Sequence, residues 1–330
     1  MNLTCVSSQQ VEIFNSTPYE LAVIFNLTIT FLSIICTVFA IYKLLSQSII
    51  HSSTKIFLLS SLYCVLSQDF AYFKLKFNML RDIFLYFGKP CFPYYEISDC
   101  ELIQRGMLIA TSGLLLIQSF MSLDRILHLI LPSFYASLEA FPSLFFASIA
   151  ILVSFFVYEF LTIGDPLEGE ILNCVYFSPK STGNYQIYNS IVFYFSIGHM
   201  ILDLLIYRLV LNRNNQMIKT FNLAEKYQAQ ESLKSTQYIV TLSTIQLTAQ
   251  VTSSLSSQFL AAVGTYLNSY LNAMAAALLY SMPYFCLAHP LLIMWILRRT
   301  RIERQKSIQE LRSHRDTQED HMKRIKTAWA

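Results

Sequence analysis

Among the 330 residues, the types and spacing best suited to chemistry lie between Cys100 and Tyr135. Cys100 opens the stretch and an apolar run over 107–123 follows. Asp124-Arg125 closes it, and Leu129, Pro132 and Tyr135 come after at steps of four, three and three. A cysteine can cross-link. A guanidinium is always charged and offers a planar fork of donors, so at a helix end it can pass from a neighbouring acid to the carbonyls of a docked partner. As a helix, the stretch from Cys100 to Arg125 would rise about 37 Å, enough to cross hydrocarbon and both interfaces. Such a helix can be anchored covalently at one end while it presents charge at the other, which is chemistry for binding and switching. The plainer reading is an interfacial Asp-Arg pair that snorkels to water. The regular spacing of the residues that follow weighs against it.

Composition says what kind of molecule holds this helix. The chain is 54% hydrophobic and 14% charged, with a mean hydropathy of +0.43. A soluble globule carries about a quarter charged residues, so this chain is read as a membrane protein. Eight Gly and nine Pro leave little room for linkers, and a single membrane domain is the economical arrangement. No metal-spaced His/Cys cluster, Gly-rich phosphate loop or internal repeat occurs. The expectation is therefore no catalytic residue, no metal, no cofactor and no nucleic-acid partner.

Seven apolar runs, at 20–42, 56–77, 101–124, 142–163, 187–211, 237–263 and 271–297, each have the length a helical span requires. The fold class expected is all-α, a seven-transmembrane helix bundle. Residues 1–20 carry only Glu12 and Glu20 as charges, without the basic region of a cleavable signal, so the first run stays as helix one. With the N-terminus outside and the C-terminus inside, 18 of the 24 basic residues fall on the cytoplasmic side. Lys74, Lys76, Arg81, Lys89, Arg105 and Lys180 remain outside, offset by neighbouring acids. The divisions are an extracellular N-terminus over 1–19, a receptor-like bundle over 20–297, and a basic cytoplasmic tail over 298–330 that suits anionic lipid headgroups or a cytosolic partner. Met322, Ile325 and Trp329 give that tail one apolar face, suited to lying on the inner leaflet.

Asn2-Leu-Thr4 and Asn15-Ser-Thr17 are glycosylation sequons if this end is lumenal. Cys5, Cys91, Cys100 and Cys174 fall on the oxidising side, and four cysteines allow three pairings. The pairing chosen joins Cys100 to Cys174 and leaves Cys5 for Cys91. Cys36, Cys64 and Cys286 lie within spans as small hydrophobes. Helix six carries many Ser, Thr and Gln between Thr236 and Gln258. Interhelical packing is the favoured reading there, and a polar wall to a cavity is the other. His199 and Asp203, four apart on helix five, can face each other. Arg105, Met107, Tyr188, Tyr194, Phe259 and Tyr270 are ligand candidates by their depth. Met107 stands where an acid would greet an amine, which disfavours amine ligands.

The spacing from Asp124-Arg125 through Leu129 and Pro132 to Tyr135 resembles a signature of rhodopsin-like receptors, with Ile126 in place of its first tyrosine. Over the whole chain the resemblance is to the serpentine receptor class alpha chemoreceptors of nematodes, with the alpha/beta class close behind. Cys91, Ser98-Asp-Cys-Glu101, Leu123-Asp-Arg125 and Gly164-Asp-Pro-Leu167 carry it, together with Gly169, Cys174, Tyr176 and Pro179. Glu225-Lys-Tyr-Gln228, Glu231 and the closing run from His321 to Trp329 complete it. This resemblance implies a chemosensory seven-helix receptor of the plasma membrane, including that of a sensory cilium. It further implies a heterotrimeric G protein as partner and an external small molecule or peptide as ligand. Helix four has no tryptophan, helix six has no proline kink, and helix seven reads His289-Pro290-Leu-Leu-Ile293, all departures from the rhodopsin-like pattern.

Two alternatives belong to other classes. A ligand-gated cation channel of odorant-receptor type would place the N-terminus inside, against the charge distribution. A small-solute transporter would show repeats or paired midspan acids. An epitope fused ahead of Met1 is expected to bind antibody on intact cells; reactivity only after permeabilisation would reverse the bundle and remove this reading.

Overall fold

In a span that meets lipid, each backbone N–H and C=O must be satisfied within its own segment, so long uninterrupted helices are forced. The computed structural model describes residues 13, 16–46, 52–86, 95–131, 140–163, 170–171, 174, 179–217, 223–263 and 269–328. Its elements in chain order are α1 (Thr17–Ser46), α2 (Ser52–Tyr86), β1 (Tyr95–Glu96), α3 (Ile97–Ile130), α4 (Phe141–Leu161), β2 (Glu170–Ile171), α5 (Pro179–Met217), α6 (Leu223–Val263), α7 (Ser269–Leu279) and α8 (Met282–Ala328). Among the described residues, six stretches are long and apolar enough to cross a membrane; the last is Leu271–Glu303, which takes in α7 and the start of α8. The polar α6 is not one of the six, and its Ser, Thr and Gln content is the reason.

Burial runs opposite to that of a soluble protein. On α1, Asn26, Thr30, Ser33 and Thr37 are fully buried along one face, while Phe25, Phe31, Leu32, Ile35 and Phe39 stand outward. A contiguous apolar exterior of this kind suits lipid. Two of these inward polar groups pair across helices: Asn26 Nδ2 donates to Ala277 O on α7 at 3.0 Å, and Ser33 Oγ to Asp69 Oδ2 on α2 at 2.6 Å. Polar α6 is completed the same way. Thr244, Thr248 and Thr252 donate to the carbonyls four residues back at 2.6–2.8 Å, which hides hydroxyls from lipid without a neighbouring helix.

Helix α3 runs through the centre and packs against α2, α4, α5 and α6. The approach to its two nearest neighbours is close at Gly113, where an added Cβ would lie 3.0 Å from Cys64 Sγ on α2 and 3.4 Å from Ser154 Oγ on α4. Larger side chains there would pry the three helices apart.

Two findings revise the expected spans. Helix two runs on past residue 77 to Tyr86, so Arg81 lies on the same helix as Lys74 and Lys76. The seventh run is two helices that part at Tyr280 and Ser281. Pro283 explains the break: it lacks the N–H that would bond Leu279 O, and its ring would collide with that carbonyl. In the first turn of α8 the same proline costs nothing. Ser281 Oγ instead donates to Ala249 O on α6 at 2.6 Å. Past Arg298, α8 continues unbroken to Ala328, so the tail extends the span and does not turn at its base to lie along a leaflet. Glu303 on this extension pairs with Lys234 of α6 and with Arg299, each at 3.0 Å.

The packing yields a paired test. Gly113→Val should destabilise the detergent-solubilised protein by about 1–3 kcal/mol through overpacking. Gly198→Ala, where nothing lies within 4 Å of the added carbon, should melt within a degree or two of wild type. Equal melting temperatures for the two variants would contradict the tight seam.

Candidate ligand cavity and arginine lock

At the end of the bundle where α3 begins, Cys100 is joined to Cys174, as the chosen pairing expected. The two-residue strands β1 and β2 pair antiparallel, Tyr95 with Ile171 and Glu96 with Glu170. The Tyr95 hydroxyl donates to Asp82 at the end of α2, and Asp82 also takes Arg81 Nε at 2.9 Å. Burial first, and the Asp82 carboxylate second, push the Tyr95 phenol above its ordinary range, so it stays a donor at neutral pH. Gln104 Nε2 adds a bond to Cys174 O at 3.3 Å. These contacts fasten residues 170–171 and Cys174, between α4 and α5, to β1 and to the start of α3.

Beneath this clamp lies a cavity of about 430 Å³, within the range of small-molecule sites. Every helix except α4 lends it a wall residue: Tyr19 from α1, Tyr72 and Lys76 from α2, Met107 and Thr111 from α3, Tyr188 from α5, Gln250 from α6, and Ala273 from α7 and Met282 from α8. At its floor Gln68 Nε2 donates to the Tyr280 hydroxyl at 3.2 Å, and Gln68 Oε1 accepts from Thr111 at 3.4 Å. On the far wall Ser112 Oγ and the Tyr188 hydroxyl are 2.7 Å apart.

Of the ligand candidates, Met107 and Tyr188 line this space. Arg105 does not: it bonds Glu159 on α4 and stacks over Phe155 and Tyr158 at 4.6 and 5.2 Å. Tyr194 is 72% exposed and Phe259 57% exposed on the outer surface. Helical phase is the reason. Val192 on α5 and Leu260 on α6 occupy the inward positions, and a residue one or two places away points elsewhere. Tyr270 lies in the first turn of α7. Cys5, Cys91, Asn2, Asn15, Pro132 and Tyr135 lie outside the described residues.

Below the cavity, Asp203 is the meeting point of three helices. It is 2% exposed and takes hydroxyls from Ser122 of α3 and Ser243 of α6, with His199 Nδ1 at 3.3 Å. The expected His199–Asp203 facing is therefore present and joined by two more partners. Ser196 Oγ donates to Gln250 Oε1 at 3.1 Å on the way up to the cavity. Helix six thus does both things considered for it: it packs through polar bonds and walls the cavity.

At the opposite end of α3, Asp124 and Arg125 are buried, 1% and 8% exposed. Asp124 accepts from Ser53 Oγ at 3.1 Å and holds Arg125 Nη2 at 3.1 Å. Arg125 Nη2 also donates to Thr54 Oγ1 at 2.8 Å, and Thr54 lies 3.4 Å from Ser235 Oγ of α6. The pair does not snorkel; it is clasped between α2, α3 and α6. Leu129 O accepts from Arg213 Nη1 of α5 at 2.8 Å.

Sequence reasoning missed Lys76, Tyr72 and Thr54. Lys76 stands inside the run expected over 56–77, where an ionisable residue is a functional flag; counted only among the outer-side charges, it went unflagged.

A seven-span α-helical bundle with a covalently clamped end, a ligand-sized cavity below it and an arginine clasp at the far end defines a membrane receptor. The family described as serpentine type 7TM GPCR chemoreceptor Sra matches residues 1–329, and the chain belongs to it. It is 32% identical to serpentine receptor class alpha-11 of Caenorhabditis briggsae over 98% of this chain and 97% of that protein. The Caenorhabditis elegans class alpha-11 protein is also 32% identical, over 99% and 98%, and the C. elegans class alpha-13 protein is 29% identical over 100% and 98%. This membership favours the receptor class over the channel and transporter alternatives.

Cysteines introduced at Met107 and Tyr188 should react with a charged methanethiosulfonate reagent in the purified protein and be shielded by a bound ligand. At Tyr194 and Phe259, covered by the detergent belt, labelling should stay at the wild-type level. Equal labelling at all four sites would disperse the proposed cavity.

Proposed function

We propose that this chain is a chemosensory receptor of the plasma membrane that binds an external ligand in the α2–α3–α5–α6–α7 cavity and activates a heterotrimeric G protein through the opposite end. The observation that carries this reading is the placement of both sites on α3, with the cavity below Cys100 and the clasped guanidinium 25 residues further on. Two facts support the polarity. The disulfide suits the oxidising outer face, and the basic residues of α8 beyond Arg298 suit the cytoplasmic leaflet. The division into residues 1–19 outside, 20–297 in the membrane and 298–330 inside follows from it, and a sensory cilium is the natural site for such a detector.

The described arrangement is the uncoupled state. Arg125 is engaged by Asp124 and Thr54, so it cannot yet offer its donors to a partner. A ligand shifts the bundle toward an open inner end only by binding that state more tightly than the closed one. The path available to it runs from the cavity wall at Gln250 through Ser196 and the Asp203 layer, whose Ser122 partner sits one turn from Arg125 on α3. Movement of α6 would draw Ser235 from Thr54 and release the arginine. Leu129, Pro132 and Tyr135 belong to the docking surface that the G protein would meet.

In a second-messenger assay of the expressed receptor challenged with odorant pools, Arg125→Ala should abolish coupling with surface expression intact. Thr54→Val, which removes the Thr54 bond to Arg125, should raise basal signalling. Unchanged signalling in Arg125→Ala would take the arginine out of the mechanism.

A further inference from the structure

We infer that the cavity takes a small organic acid, with its carboxylate seated on Lys76 and its apolar body among Tyr72, Met107, Tyr188 and Tyr280. This rests on the receptor reading above and names the ligand class of the same site.

Lys76 is the only charged residue among those that line the cavity. It is 4% exposed and, among the described residues, it forms no ion pair. Its ammonium lies 5.2 Å from the centre of the Tyr72 ring. An ammonium withdrawn from water is costly unless another charge or a set of acceptors meets it, and a cation–π contact offsets only part of that cost. The acids on the same helix are committed elsewhere. Asp82 takes Arg81 and Tyr95 at the rim, and Asp69 takes Ser33 two turns further down. Among the described residues no acid meets this ammonium, and a carboxylate that enters the cavity supplies the counter-charge.

The rest of the wall fits an acid with a hydrophobic tail. Tyr72, Tyr188 and Tyr280 supply aromatic faces, and Met107 and Met79 supply adaptable apolar surface. Asn189 adds a side-chain amide donor for a second oxygen. Among the described residues no carboxylate lines the space, so an amine would meet the repulsion of Lys76 with no described acid to hold it.

The test uses the full-length receptor purified in detergent and thermal unfolding as the readout. The probes are octanoate, 3-phenylpropionate and indole-3-acetate, each set beside its methyl ester and the matching amine. At least one acid should raise the melting temperature where its ester and amine do not. Lys76→Met should weaken acid binding by about ten- to a hundredfold, as loss of a charge-assisted bond predicts. Lys76→Arg should keep the preference. Without ligand, Lys76→Met should melt no lower than wild type, because it sheds an unpaired buried charge. If Lys76→Met fails to fold, the contrast between acid and ester on the wild type decides alone. Acids that stabilise wild type and Lys76→Met equally, or a panel in which no acid binds, overturn the assignment. Esters or amines that bind while the acids do not overturn it too, yet leave the receptor reading standing. That reading would fail in a different way, by tight ligand binding without any G-protein turnover.

Discussion

Hydrocarbon offers no hydrogen bonds, and this single constraint orders the whole molecule. It turns the backbone into helices and sends every polar side chain either inward or back onto its own carbonyls. The apolar exterior of α1 and the buried Asn26, Thr30, Ser33 and Thr37 on its other face are one consequence. The back-bonded threonines of α6 are another. Because inward polar groups need partners from other helices, they also fix which helices meet. Asp69, Asp203 and Asp124 each collect hydroxyls from neighbouring helices at three different levels of the bundle.

These levels give α3 its role. It carries the disulfide at one end, Thr111 and Ser112 beside the cavity, Ser122 at the Asp203 layer and Asp124-Arg125 at the far end. Helix α2 meets α3 beside the cavity and again at Asp124-Arg125, and α5 meets it at Tyr188 and at Asp203, so a shift of one helix alters partners at more than one level. Helix α6 touches three of the same levels, through Gln250, Ser243 and Ser235. A hydroxyl-to-carboxylate bond between helices is strong enough to hold one arrangement and local enough to be exchanged for another.

The number of spans, the family and the Cys100–Cys174 bridge were legible in the sequence because they rest on long runs, spacing and side-chain chemistry. The facing of single residues was not. Spans such as α4 and α5 are apolar on nearly every side, so the pattern of polarity does not reveal which face turns inward. Tyr188 and Tyr194 look alike in composition and depth, yet one lines the cavity and the other meets the exterior. Arg105 was drawn off by Glu159, a partner 54 residues away that only the packed helices bring near. Lys76 was hidden for a different reason: near the end of its run it reads as one more outer-side charge, and only the packed helices show it facing a cavity. The break in the seventh span was written in Pro283, but the apolar run on both sides disguised it.

That break sets the mechanical character of the seventh span. An intact helix resists twisting because a turn of one half against the other must rupture backbone bonds. At Tyr280 and Ser281 the bonds are already interrupted, and the junction is held by the Gln68 amide of α2 on the Tyr280 hydroxyl and by the Ser281 hydroxyl on the Ala249 backbone carbonyl of α6. The short upper piece that walls the cavity and the long lower piece that carries the basic extension therefore form a shaft with a coupling in it. Rotation there exchanges side-chain bonds, including that of the Tyr284 hydroxyl to Leu278 O, and leaves both helical ladders whole, so the bundle can swivel at this point at lower cost than within an intact helical stretch.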